Sequence, residues 1–231
     1  MMESATSQPT SRHRLFQRPS VPKPLLRGWI HLGATPLALA ASIVLTCLAP
    51  DTSTRWASAI FLACSLLLFG ISALYHRLPW NETIHGILRR CDHSNIFLLI
   101  AGTYTPISIG ILDPHSARVL LTVIWVGAAL GIILSIGWPN APRWLYVPIY
   151  IVLGWMAVFY MPQFVANAGW VVMWLLIAGG LCYTLGAIVY GFKKPDPWPK
   201  VFGFHEIFHL GTVAGWVCCA IAAYFAVLGH H

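Results

Sequence analysis

The sequence predicts an all-α integral membrane protein: a bundle of seven transmembrane helices with a cytoplasmic N-terminus and an outside C-terminus. Three observations carry that prediction. The chain has 231 residues, of which only 14 are Lys or Arg and 7 are Asp or Glu, or 9% charged. A soluble domain has about 25%. Hydrophobic residues make up 58%, and the mean hydropathy is +0.70. These numbers exclude a soluble enzyme, a disordered chain and a secreted disulfide scaffold. Second, the few charges divide the chain into apolar windows of membrane-crossing length. Third, the Lys and Arg residues fall almost entirely on alternate sides of those windows.

Charge-free windows run from Arg27 to Asp51, Arg55 to Arg77, Asp92 to Asp113, Arg118 to Arg143, Arg143 to Lys193, and Glu206 to the end. A crossing helix needs about 20 apolar residues. Five windows accommodate one helix each. The window between Arg143 and Lys193 spans residues 144–192 and accommodates two, broken at Pro162-Gln163 through Asn167-Ala168-Gly169, a turn-forming cluster. Helices are therefore expected at 29–49, 55–77, 92–112, 117–136, 143–161, 168–191 and 205–228. A β-barrel requires alternating apolar and polar positions. Stretches such as AIFLACSLLLFGISALY are apolar all round, which excludes it.

With the N-terminus inside, the inner segments collect Arg12, Arg14, Arg18, Lys23, Arg27, Arg77, Arg89, Arg90, Arg143, Lys193, Lys194 and Lys200, and the outer ones only Arg55 and Arg118. That asymmetry sets the orientation. The formal charge of +7 is then a topology signal and a contact with anionic inner-leaflet lipids, not a nucleic-acid footprint. Residues 1–28 read as a basic, flexible cytoplasmic tail, and 29–231 as one membrane domain. The six cysteines lack CxxC spacing, and most fall inside the spans, where a thiol acts as a small apolar group.

Ionisable groups at or within the membrane invite a functional reading. Six of the ten histidines, His31, His76, His85, His93, His205 and His209, fall on the cytoplasmic side with Asp92 and Glu206. His205-Glu206-Ile207-Phe208-His209 fits H-E-x-x-H, which places two imidazoles on one helix face as a shared metal requires. The alternative is two interfacial histidines bonding headgroups or loop carbonyls. Zinc wants a third ligand. His76 is the best candidate, ending helix two on the same side with Ser72 one turn beneath it. His31, His85 and His93 are weaker candidates. Asp92 opens the third predicted helix. It either takes a proton from an activated water or caps the helix, and Glu206 carries the same ambiguity. In Ala101-Gly102-Thr103-Tyr104-Thr105-Pro106 the proline frees a carbonyl that Thr105 or Thr103 can help satisfy.

Four blocks then recur together: Ser72-x-x-x-His76; Asp92-His93-Ser94-Asn95-Ile96-Phe97 running into Ala101 to Pro106; Lys194-Pro195-Asp196-Pro197-Trp198-Pro199; and Gly203-Phe204-His205-Glu206-Ile207-Phe208-His209. Their order and spacing resemble the bacterial hemolysin III family. That family is grouped with the progestin and adipoQ receptors, including the adiponectin receptors, in a proposed superfamily of membrane metal hydrolases with the alkaline ceramidases. The resemblance covers nearly all of the chain after residue 28. It implies a seven-helix bundle in the cell membrane and a zinc ion held by His76, His205 and His209. It further implies Asp92 at the zinc-bound water, with Ser72 as the family serine. The adiponectin receptors carry an amide where this chain has Glu206, so both carboxylates stay open as the base.

Three functions follow as expectations. The first is zinc-dependent hydrolysis of lipid amides or esters, with Asp92, Ser72 and Glu206 as catalytic residues and membrane lipids as substrate. The second is membrane permeabilisation or transport, which the family name implies. It is poorly supported, because a pore needs a polar stripe across several helices and the ionisable groups here crowd one end. The third is a receptor-like sensor with a structural zinc.

Overall fold

The computed structural model describes residues 23–138 and 140–229. Residues 1–22 of the predicted tail, with His13, lie outside the described residues, as do Pro139, His230 and His231. The helices are α1 (Trp29–Leu48), α2 (Thr52–Arg77), α3 (Glu82–Ile111), α4 (Pro114–Gly137), α5 (Arg143–Gly154), α6 (Met161–Phe192) and α7 (Phe204–Leu228), with a 3₁₀ turn at Met156–Tyr160 between α5 and α6.

Three helices start earlier than their apolar windows, because a cap and not hydropathy sets a helix start. Asp51 accepts from the Ser53 and Thr54 N–H groups at 2.8 and 3.0 Å. Asn81 accepts from Ile84 N–H at 2.9 Å. Asp113 accepts from His115 and Ser116 N–H at 3.0 and 3.1 Å. Hydrogen bonding, first from the Thr54 hydroxyl at Asp51 and from Ser116 at Asp113, holds both carboxyls below their ordinary range. The shift is largest in α3. It begins at Glu82 rather than 92, so Asp92 lies almost three turns inside the helix and is not its cap.

Among the described residues, six helical segments are long and apolar enough to cross a membrane: Trp29–Leu48, Thr52–Arg77, Glu82–Ile111, Pro114–Gly137, Arg143–Phe192 and Phe204–Leu228. At 1.5 Å per residue the fifth would reach about 75 Å if straight, against a hydrocarbon core of about 30 Å. It is not straight. The α5 helix stops at Gly154, the 3₁₀ turn follows, and Gly169 takes a left-handed φ of 79° inside α6. The predicted break is thus present at Gly169, while Pro162 opens a helical turn rather than ending one, as proline does at a first helical position. Contacts trace the path. Arg143 donates to the Tyr190 carbonyl at 2.9 Å at one end of the bundle. Gln163 reaches the Ser116 hydroxyl at 2.9 Å, and Asn167 the Ile111 carbonyl at 2.8 Å, at the other. The two ends of the stretch thus lie together, and its middle lies beside the α3–α4 connection.

Helix α3 occupies the interior, packed against α2, α4 and α7 and touching α5 and α6, while α1 joins α2 to α7. The polarity is that of a protein in lipid. Leu37, Leu130, Ile133 and Leu185 are 69, 62, 66 and 63% exposed on the outer faces, whereas Ser58, Ser65, Ser72, Asn95 and Ser108 are buried. Exposed apolar surface of that extent has no place in water. Small residues bring α6 and α7 nearly backbone to backbone. A Cβ on Gly211 would approach the Cys182 carbonyl to 2.9 Å and the Gly186 Cα to 3.1 Å. In α3, Thr105 donates to the Ala101 carbonyl at 2.8 Å, its own i−4 partner. The carbonyl that Pro106 frees belongs to Gly102, one residue on. Thr103 Oγ1 is buried without a partner among the described residues, so neither threonine serves the freed carbonyl.

Candidate metal centre

The histidines of α7 owe their position to how that helix starts. Gly203 is the N-cap, and Glu206, three residues on, accepts the Gly203 N–H at 2.8 Å. That is the acidic half of a capping box. The other Glu206 oxygen takes the Nε–H of Arg27, and the carboxylate is fully buried. Both of its oxygens are therefore occupied away from the imidazoles. With the first turn held this way, His205 and His209 project from one face.

His76 meets them from the last turn of α2. Its Nε2 lies 3.2 Å from His205 Nε2, and one ligand atom from each of His76, His205 and His209 falls within 4.8 Å of the others. Asp92 Oδ2 lies 3.7 Å from His76 Nε2. Ser72, a turn below His76, is buried and lines the same cavity as Asp92. The left-handed Gly28 lets the chain before α1 pass over this end, where a Cβ would come within 2.7 Å of the His76 Cβ. Just before it, Leu25 and Leu26 donate to the Lys200 and Val201 carbonyls at 3.0 and 3.1 Å. That fastens 25–28 to the loop preceding α7.

These residues fit a metal ion. Nitrogens on a zinc at about 2.0–2.1 Å in tetrahedral geometry stand roughly 3.3 Å apart, close to the His76–His205 separation. His209 Nδ1 is buried with no partner among the described residues, a costly state for a polar atom that is not used. Three imidazoles fill three of the four positions a tetrahedral ion takes, and the Asp92 carboxylate stands alongside.

Two residues beside the three histidines have a part that the sequence did not assign to them. His31 of α1, expected to be weak, is 2% exposed and lies flat on His209, with ring centroids 3.8 Å apart and planes 9° from parallel. Its only signal was an ionisable residue inside an otherwise apolar first span. Arg27 gave none beyond marking a helix end. By contrast His85 packs on Tyr75, at 4.9 Å between ring centroids. His93 lines the cavity but stays outside the three-histidine group.

The group opens into a cavity of about 400 Å³. Its histidine end is lined also by Lys23, Arg27, Arg89 and Arg143, and its interior by Leu99, Ile100, Ile107, Phe164 and Leu176.

Residues 20–220 match the family described as haemolysin-III related. The chain belongs to the haemolysin-III related family. Like its relatives it is a multi-pass membrane protein. It is 31% identical to the Hemolysin-3 homolog of Bacillus subtilis over 83% of this chain and 86% of that one. It is 34% identical to Hemolysin-3 of Bacillus cereus over 70 and 71%. The match reaches the Adiponectin receptor protein of Drosophila melanogaster at 27% identity, over 67% of this chain and 38% of that one. The haemolysin-III relationship thus covers both helices that carry the three histidines.

Proposed function

We propose that this haemolysin-III related protein is a zinc-dependent membrane hydrolase of lipid amides or esters. In this reading the 143–192 stretch crosses twice, giving seven spans, and the twelve-to-two Lys/Arg asymmetry puts the N-terminus and the histidine end in the cytoplasm. The observation that carries the reading is the convergence of His76, His205 and His209, with Asp92 beside them, at the polar end of a cavity that is apolar within.

His76, His205 and His209 would hold the ion. Zinc bound there supplies Lewis acidity, acidifying water and polarising a carbonyl. Asp92 accepts the proton of the attacking water and delivers it to the leaving nitrogen or oxygen. Ser72 lines the cavity with Asp92, where its hydroxyl can donate to developing negative charge. Glu206 serves the architecture, because Arg27 and the Gly203 N–H occupy it. His31 fixes the ring plane of His209. The apolar interior takes the acyl chain and keeps bulk water from the reacting group.

The test is lipid turnover by purified protein with and without a chelator, beside metal analysis. Chelator-insensitive turnover would reject zinc chemistry. Metal retained without turnover of any lipid would leave the sensor with a structural zinc. The competing reading, permeabilisation, rests on the name of the Bacillus cereus relative. Liposomes that leak dye when this protein alone is inserted would favour it.

A further inference from the structure

The histidine end of the cavity holds more inward positive charge than topology requires. Arg90, Lys193, Lys194 and Lys200 are exposed and do not line the cavity, so they suffice for contact with an anionic leaflet. Lys23, Arg89 and Arg143 do line it, and each is only partly exposed. Turning cations into a shared, half-dry mouth incurs desolvation and mutual repulsion. At Lys23 burial acts first, then repulsion from Arg27 and Arg77, and together they push its ammonium pKa below the ordinary lysine value.

No carboxylate of the described residues neutralises these three. Among the described residues the ion pairs are Arg27 with Glu206 and His76 with Asp92, so Lys23, Arg89 and Arg143 have no carboxylate within bridging distance. Asp92 lines the same cavity but is turned toward His76. The neutral contacts of the arginines are few. Arg89 gives one N–H to Asn140 Oδ1 at 3.2 Å. Arg143 gives one to the Tyr190 carbonyl at 2.9 Å, with its guanidinium 4.2 Å from the Tyr190 ring centroid. A guanidinium carries five N–H donors in a fork that matches phosphate oxygens. Both arginines line one cavity with Tyr190 and His93.

We propose that Lys23, Arg89 and Arg143 form a cradle for a phosphate-class anion at the cavity mouth, so that the lipid taken up carries an anionic headgroup. This rests on the reading of the cavity as a lipid site and names the headgroup class. The same chemistry would also hold free phosphate.

The experiment is calorimetric titration of full-length protein in a neutral detergent with three probes: dihexanoyl phosphatidic acid, dihexanoyl phosphatidylcholine and inorganic phosphate. The phosphatidic acid should bind at least about tenfold tighter than the phosphatidylcholine. The double variant Lys23→Gln/Arg89→Gln should lose about tenfold or more for the acid alone, with metal content unchanged. Arg143 is left intact because it also holds the Tyr190 carbonyl. If inorganic phosphate alone binds as tightly and with the same sensitivity, the cradle stands and its ligand is the free anion. Equal affinity for both lipids, or equal loss of both in the variant, overturns the cradle. Binding does not depend on turnover, so the hydrolase reading and the cradle fail separately: one by no reaction with binding intact, the other by reaction without headgroup preference.

Discussion

The two ends of the bundle use the same residue types for opposite purposes. At the end near Asp51, Asp113 and Asn167, these polar side chains serve backbone groups at helix ends. The two aspartates cap α2 and α4, and Asn167 takes the Ile111 carbonyl. At the histidine end the polar groups converge instead. His31, His76, Asp92, Glu206 and His209 are all buried, and they come from α1, α2, α3 and α7. Asp51 and Asp92 are the same chemistry, one at a helix start facing water and one almost three turns inside a helix facing three imidazoles. The difference teaches that the meeting of buried ionisable groups from several helices, and not residue type, sets the histidine end apart.

The strongest test of that contrast removes a ligand. His209→Ala should abolish both bound metal and turnover, read by elemental analysis and lipid product. Retained metal would show that the convergence is packing alone. Asp92→Asn comes next. It keeps size and nearly the same hydrogen bonds but removes the base, so turnover should fall about 10²–10⁴-fold with metal content unchanged. A loss of metal instead would make Asp92 a ligand. Glu206→Gln separates architecture from chemistry. It leaves Arg27 facing an uncharged amide. Since Arg27 is partly exposed, the expected destabilisation is about 2–3 kcal/mol, below the range for fully buried pairs. Thermal unfolding in detergent reads it. Residual turnover per folded molecule should stay within a few-fold of wild type, and a collapse as deep as that of Asp92→Asn would return Glu206 to the chemistry.

Much of the fold was legible because hydrocarbon solvent is exacting. Every backbone group must be satisfied within its own segment, so charge-free windows map onto helices. The helix starts were less legible, since Asn81 starts α3 in a stretch too polar for hydropathy to register. The site divides in the same way. His205 and His209 are legible from one short string, because four residues make one helical turn. His76 and Asp92 were legible by lying at the same predicted end and within the family motifs. Arg27 and Glu206 are separated by 179 positions, and His31 touches His209 across two helices that share no sequence pattern. Nothing in the local chemistry of Arg27-Gly28-Trp29-Ile30-His31 announces either contact. They follow only from how α1 packs on α7.

The capping end offers the smallest effect and the complementary test. Asp51 and Asp113 have carboxyls held below their ordinary value of 3.8 by hydrogen bonds to the folded helix starts. A group whose folded pKa is depressed stabilises fully above its unfolded pKa and loses that stabilisation as pH falls through the folded one. The caps should therefore contribute unchanged at neutral pH and fade below about pH 4. Asparagine caps a helix about as well as aspartate but does not titrate. Asp51→Asn/Asp113→Asn should thus match wild type in thermal midpoint at pH 7 and show a flatter decline from pH 5 to pH 3, with metal content and turnover unmoved at neutral pH. An identical acid decline would mean that these aspartates do not set the stability of their end. Altered metal content would mean that the two ends are coupled, and that polar chemistry is not partitioned along the bundle axis as the geometry indicates.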